Sequence, residues 1–297
     1  RRLPADPTEP VGVFLSGGLD SALVLALLAE AGARTLAWTL DFGPPHDVEV
    51  DCARAVAAHL GIPLHTVDAR PSRVLRAIDP AAAALPQPYG DGVVAPLWLL
   101  GDAARDHVRI VFNGEGGDQL FGGWANKPLV AVGAYGAGDE IDEYLHTYHR
   151  FHGLLERLGT PAWRQRVGPV EPGEWVRSAL DRERHPHLLH RLRAANIALK
   201  GGQNIAPRCA ALAACHGLTV AAPFFDRDLA AATFALPDDA FLCGATEKAI
   251  LKRAAAALLP AAIVWREKRG MGVPTADWCL DPGPLRRRVR DALSPRC

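Results

Sequence analysis

Neither sign of charge is in excess in this chain: 33 Lys+Arg face 33 Asp+Glu in 297 residues, a formal net charge of zero at pH 7. That balance argues against an acidic tail, a charge-extended linker or a basic surface for nucleic acid. Long apolar runs are missing too. Gly, Pro or a charged residue breaks each one well short of the roughly 18–20 residues that span a bilayer, and no charged-then-apolar leader opens the chain. The expectation is a soluble, cytoplasmic protein with no membrane and no nucleic-acid partner. The six cysteines (Cys52, Cys209, Cys215, Cys243, Cys279, Cys297) contain no C-x-x-C pair. Scattered in this way they predict reduced thiols rather than a disulfide framework or a zinc site. There is no fixed-period repeat, and the first residue is Arg1 rather than Met, which leaves room for an upstream portion. What is present is apolar content, 49% of residues, enough for one large unit or two tightly fused ones.

Hydrophobic patterning places a strand at Val11–Leu15, a Gly turn, and a helix over Ala22–Ala31. The alternation repeats with a strand at Thr35–Leu40, a helix at Val48–Leu60 and a strand at Leu64–Val67. A Pro-rich interruption follows from Pro80 to Pro96, then a helix near Leu97–Arg105 and a strand at Val108–Phe112. This order predicts right-handed βαβ units and a parallel sheet covered on both faces. Past about residue 125 Ala, Leu and Arg dominate, and Ile141–Leu158, Glu174–Leu199 and Glu247–Leu259 read as helices. The fold class is α/β, with a nucleotide-binding part at 1–125 and a helical part at 126–297.

Ser16-Gly17-Gly18-Leu19-Asp20-Ser21 stands where the first strand gives way to the first helix. Glycines there let backbone approach a ligand, and the helix start favours an anion such as phosphate. The spelling is neither G-x-G-x-x-G nor a loop closed by G-K-[ST]. Asp20 adds a carboxylate able to hold Mg²⁺ beside phosphates. The plainer alternative is a Gly-rich turn with Asp20 and Ser21 capping the helix. This segment resembles the pyrophosphate loop of the N-type ATP pyrophosphatases. That group includes asparagine synthetases, β-lactam synthetases, lasso-peptide cyclases and NAD synthetases.

The last strand leads into Asn113-Gly114-Glu115-Gly116-Gly117-Asp118-Gln119-Leu120-Phe121-Gly122-Gly123, two carboxylates among glycines. Asp20 and Asp118 are then candidates to share Mg²⁺ over the phosphates; an acidic surface loop is the alternative. The stretch is similar to the Gly-Glu-Gly loop of the asparagine synthetase branch. Ala222-Pro223-Phe224-Phe225-Asp226 resembles the family's Pro-Phe-Leu-Asp segment. Glu247-Lys248 through Ala254, and Trp265-Arg266-Glu267-Lys268-Arg269-Gly270, are similar to its closing helix and lysine loop, which otherwise read as an ordinary basic loop. Where asparagine synthetases usually carry Glu and Arg just before Pro-Phe, this chain has Thr219 and Ala221, and Asn113 replaces a common Ser.

The resemblance implies an adenine nucleotide alpha hydrolase-like fold that uses ATP and Mg²⁺. Leu15, Ser16, Gly17, Gly18, Asp20, Ser21, Leu40 and Gly114 would bind the nucleotide, and Asp20 and Asp118 the metal. Glu115 would position substrate or amine, and Lys268 would face the α-phosphate. The implied reaction adenylates a small-molecule or peptide carboxylate and passes the acyl group to ammonia or an amine. A glutaminase domain or subunit is an expected partner, and a homodimer an expected assembly. A β-lactam synthetase or lasso-type cyclase with an internal amine, and an inactive ATP-binding partner protein, are the other readings. His146, His149, His152, His185, His187 and His190 read as solvated or structural rather than metal-binding, Arg286–Arg288 with Arg290 as an exposed helix, and Trp124 and Trp265 as packing for the site loops.

Overall fold

The structure, a computed structural model, describes residues 3, 4, 6–123, 139–148, 154, 157, 159–169, 171–267 and 272–294. Trp124, His149, His152, Lys268, Arg269 and Cys297 lie outside the described residues.

The chain opens with β1 (Val11–Phe14), α1 (Leu19–Glu30), β2 (Thr35–Asp41), α2 (Val48–Leu60), β3 (Leu64–Asp68), α3 (Pro71–Ala84), α4 (Val94–Ala104), β4 (Ile110–Phe112) and the short α5 (Gly117–Phe121). Described helices follow as α6 (Glu140–Tyr148), α7 (Pro161–Val167), α8 (Pro172–Ala179) and α9 (Leu188–Ala195). A π-helical stretch over Asn196–Ile205 runs into α10 (Ala206–Ala214), then β5 (Thr219–Ala221) and α11 (Arg227–Phe234). A two-stranded pairing, Leu242–Cys243 with Thr246–Glu247, precedes α12 (Ala249–Ala255), α13 (Ala261–Val264), α14 (Thr275–Leu280) and α15 (Pro284–Ala292).

The strands form one parallel sheet in the order β3-β2-β1-β4-β5. Val11, Val13, Ala37 and Trp38 are buried at 0–1% exposure, because a parallel sheet with helices on both faces leaves its central strands no wet side. The same coverage makes α1 apolar nearly all round, with Leu23, Val24, Leu25, Ala26 and Leu28 buried. At the far end of α2, Gly61 takes the left-handed conformation, φ 65°, that lets the chain turn back into β3.

Three expectations need correcting. The Pro-rich interruption is shorter than expected, spanning residues 85–93: α3 runs through Pro80, which is exposed, so the carbonyl that loses its amide partner there can turn to water. Val74, Ala77 and Ala81 give that helix its buried stripe. A fifth strand exists in the part read as helical, since Ile110, Val111 and Phe112 pair with Thr219, Val220 and Ala221. Glu174–Leu199 is not one helix but α8, a turn region and α9, with His187 as the residue before α9. Two compact units interleave along the chain. One comprises residues 1–115, 204–224 and 252–297, the other residues 116–203 and 225–251. The first is built on the sheet. The second has its own core of Ile141, Tyr144, Leu145, Val176, Leu180, Leu192 and Ala195. No helix among the described residues is long and apolar enough to cross a membrane.

Candidate active site

Strand order reverses at β1: β2 and β3 lie to one side, β4 and β5 to the other. At such a switch point the loops leaving neighbouring strands part and open a crevice beyond their carboxyl ends. The loops leaving β1 and β4 are the two glycine-rich segments.

Leu15, buried, still belongs to the sheet, donating its N–H to Trp38 O at 2.8 Å. Ser16 and Ser21 then close the loop into a ring. Ser21 Oγ accepts the Ser16 N–H at 3.1 Å, lies 3.0 Å from Ser16 Oγ and donates to Gly18 O at 3.3 Å, while the Gly18 N–H donates to Ser16 Oγ at 3.3 Å. The residue before α1 is Gly18, with no side-chain cap, so Ser21 serves the ring rather than the helix end. The first-turn N–H groups of α1 are thus left without a side-chain cap, an arrangement that suits an anion. Gly17 sits at φ +72°, and a Cβ there would stand 2.5 Å from Glu49 O and 2.8 Å from Cys52 Cβ. The loop is pressed onto the start of α2.

Gly114 brings the second loop to the first. A Cβ on it would collide with Ser21 N and lie 2.8 Å from the Asp20 carbonyl carbon and 2.9 Å from Asp20 Cβ. Only a bare backbone fits against the Asp20–Ser21 peptide. Next to it, Asn113 is buried and ties its N–H to Ala221 O at 3.1 Å, and its Oδ1 accepts the Glu115 N–H at 3.2 Å. Asn113 thus fixes the turn that presents Glu115. Leu40 is buried near the carboxyl end of β2.

One contact of this unit was not anticipated. Arg266 reaches both carboxylate oxygens of Glu49 at 3.1 Å and Cys52 Sγ at 2.9 Å, on the same turn of α2 that supports Gly17. Nη2 is shared between the two Glu49 oxygens while Nη1 goes to Cys52, and these charge-assisted contacts anchor the Trp265–Arg266 segment to the start of α2. Trp265 itself is 53% exposed, with Lys252 Nζ 5.9 Å from its ring centroid.

Asp118 belongs to the second unit. It stands in the first turn of α5, opened by Gly116 at φ 95°, and forms an ion pair with Lys248. Lys248 is 3% exposed and holds φ 54°, unusual for a residue with a side chain. A Cβ on Gly123 would lie 2.6 Å from Lys248 Cε and 3.0 Å from Asp118 Cγ, so this glycine admits the pair. Within the sequence Lys248 is one letter of a matching segment. The signal that singles it out is burial, which no spacing reveals. Arg193, 1% exposed, holds the same short helix by donating from Nε to Leu120 O at 2.8 Å.

His190 is buried against Arg193, and His146 is bonded to Asp142 O of its own helix, both structural roles. Among the described residues no three His, Cys, Asp or Glu side chains gather as a metal cage. Mg²⁺ bound mainly through phosphates needs only one or two carboxylates, and Asp20 in the sheet unit is a carboxylate of that kind.

The profile of the asparagine synthase family matches residues 1–297. The glutamine-hydrolyzing asparagine synthetase 1 of Bacillus subtilis (strain 168) is 25% identical over 297 aligned positions, covering 91% of this chain and 47% of the relative. A putative glutamine-hydrolyzing asparagine synthetase of Mycobacterium bovis is 28% identical over 324 positions, 94% of this chain and 47% of the relative. A 7-cyano-7-deazaguanine synthase of Cupriavidus necator is 33% identical over 185 positions, 58% of this chain and 78% of the relative. The chain spans about half the length of the asparagine synthetases it matches. With the profile matched from end to end over a sheet whose two glycine loops meet at Gly114, the chain belongs to the asparagine synthase family.

Proposed function

We propose that this chain is an ATP-dependent amide-forming synthetase unit: a substrate carboxylate attacks the α-phosphorus of ATP, pyrophosphate leaves, and ammonia or an amine displaces AMP from the acyl-adenylate. The observation that carries the reading is the cradle of Gly17, Gly18 and Gly114, with an uncapped helix start behind it and no space for a side chain at Gly17 or Gly114. Leu15, Ser16, Gly17, Gly18, Asp20, Ser21, Leu40 and Gly114 are the residues proposed for the nucleotide, and Asp20 and Asp118 those for Mg²⁺, which when bound would neutralise phosphate charge. Glu115 positions the acyl substrate or the amine. Lys268 is proposed to stabilise charge developing on the α-phosphate. Exclusion of water protects the activated acyl group. The compartment is the cytoplasm, and a glutaminase domain or subunit is the proposed ammonia source. Homodimerisation is proposed alongside it.

A second reading takes an internal amine of the substrate as nucleophile, as in β-lactam or lasso-type cyclisation. It is favoured by Thr219 and Ala221, which leave β5 without the charged residues usual in asparagine synthetases.

The test is ATP–pyrophosphate exchange by the full chain with aspartate, other amino acids and peptides, each with and without ammonia. Asp20→Ala should cut exchange by about 100-fold or more while the circular-dichroism melt is retained. Full exchange in that variant would remove Asp20 from the site, and no exchange with any carboxylate would overturn the adenylation reading.

A further inference from the structure

Arg266 holds the turn of α2 on which the first glycine loop rests, from 217 residues away in sequence. The loop has no slack there. A Cβ on Gly17 would stand 2.5 Å from Glu49 O, 2.8 Å from Cys52 Cβ and 2.9 Å from Ala53 N. Two of these are backbone atoms, which cannot swing aside as a side chain would. Arg266 gives Nη2 to both Glu49 carboxylate oxygens at 3.1 Å and Nη1 to Cys52 Sγ at 2.9 Å. Glu49 and Cys52, which Gly17 meets close to their backbone, are thus the same two residues that Arg266 grips by their side-chain tips.

The pair is partly buried, with side chains 19% exposed for Arg266 and 24% for Glu49. Salt screens such a pair less than a surface one. Burial by itself lowers the Arg266 pKa, and the hydrogen bond and charge of Glu49 outweigh it, leaving the value raised. Another ion pair of α2 offers the contrast. Arg54 and Asp51 meet at 2.8 Å, but their side chains are 53% and 64% exposed, and the atoms nearest the Gly17 Cβ position belong to neither. All of these residues lie in the sheet unit.

With backbone pressed on backbone, a shift of the α2 turn is passed to the Gly17 peptide rather than absorbed by a side chain. A displacement of about 1 Å remote from the reacting atoms can cost about 100-fold in an enzyme. We propose that Arg266 is a positioning residue for the leaving pyrophosphate: through Glu49 and Cys52 it fixes the first turn of α2, and through that turn the Gly17 peptide. It thereby sets affinity for the pyrophosphate half of the nucleotide and not for the AMP half. The assignment rests on the proposed function, which lays ATP on this loop.

The experiment takes two readouts on the full chain. Calorimetry with Mg²⁺ present gives the affinities for pyrophosphate, ATP and AMP. Hydrogen exchange without ligand follows the Ser16 and Gly18 amides, both bonded inside the loop's hydroxyl ring. Arg266→Ala should weaken pyrophosphate and ATP by about 10- to 100-fold, leave AMP unchanged and speed exchange at both amides. Glu49→Gln should act in the same direction, and the double variant should lose no more than Arg266→Ala alone, because the two side chains act as one unit. Arg266→Lys keeps the charge without the two-armed reach and should fall between wild type and Arg266→Ala. Arg54→Ala, which removes an ion pair of the same helix, should change neither readout. Unchanged exchange and unchanged pyrophosphate affinity in Arg266→Ala overturn the assignment while the nucleotide site stands. Equal weakening of pyrophosphate, ATP and AMP overturns it as well, since Arg266 would then support the whole unit rather than this loop. A wild type that binds none of the three, with exchange still faster in Arg266→Ala, overturns the nucleotide reading while the hold of Arg266 on the loop stands.

Discussion

Lys248 carries two energetic burdens at once, a buried ammonium and a left-handed backbone, and Asp118 offsets the first of them. Removing one member of such a pair costs more than the pair contributes, since the remaining charge keeps its desolvation. Lys248→Met should therefore lower stability in urea by about 2–4 kcal/mol, with part recovered in the double variant Lys248→Met/Asp118→Asn. Additive effects in that cycle would show the two groups to be energetically separate. The glycines give a cleaner contrast. Gly17 and Gly61 share positive φ, but a Cβ on Gly61 meets nothing within 4 Å, whereas one on Gly17 stands 2.5 Å from Glu49 O. Gly61→Ala should cost about 1 kcal/mol from backbone strain alone. Gly17→Ala should cost clearly more by the same denaturation measurement, the excess being the collision with α2.

At the scale of elements, α5 is five residues long and cannot hold itself; its Leu120 carbonyl is held by Arg193. That guanidinium is stacked 3.8 Å from the Phe241 ring centroid and 4.4 Å from that of Phe234, gives Nη2 to Thr233 Oγ1 at 2.7 Å, and gives Nη1 to His190 Nδ1 at 2.7 Å. An imidazole that accepts at Nδ1 must be neutral there, with Nε2 bonded to Leu236 O. Burial and then the Arg193 charge hold the His190 pKa below its ordinary 6.5, against the opposing pull of Asp238. Below that pH the unfolded chain takes up a proton the folded one refuses. This contribution to stability is complete above 6.5 and is lost as the pH falls through the lowered folded value. Urea midpoints at about pH 7.5 and about pH 5 should thus differ more in the wild type than in His190→Phe. An unchanged difference would exclude His190 as the titrating group.

The same scale shows what could be read from letters alone. β1, β2 and α2 announce themselves through long apolar or periodic runs, and the glycine loops lie where strand gives way to helix. β5 is invisible because Thr219–Ala221 is three residues long, and only the register offered by β4 makes it a strand. α3 is masked by Pro80, whose penalty tertiary burial of Val74, Ala77 and Ala81 outweighs. At the site, Asp20, Gly114 and Glu115 are legible as motif residues. Lys248 is not, because what distinguishes it is burial beside a partner distant in sequence.

For the molecule as a whole, the described cysteines Cys52, Cys209, Cys215, Cys243 and Cys279 are all free thiols. Cys215 and Cys243 are exposed and Cys209 is buried. Peptide mapping after alkylation of the native protein should find Cys215 and Cys243 labelled early and Cys209 only once the protein unfolds. Early labelling of Cys209 would mean that α10 opens locally.

The interleaved units also set an order of assembly during synthesis. β4 ends at Phe112, but its outer neighbour β5 begins at Thr219, and the sheet unit takes its last stretch from residues 252–297. While the intervening chain emerges from the ribosome, the β4 edge stays unpaired, a template for wrong strand partners. The helical unit, drawn from residues 116–203 and 225–251, has all of its chain before the sheet unit does. Of the two units, the sheet unit thus contributes the earlier strands yet has all of its chain later, and its open edge is where a nascent chain would need a chaperone.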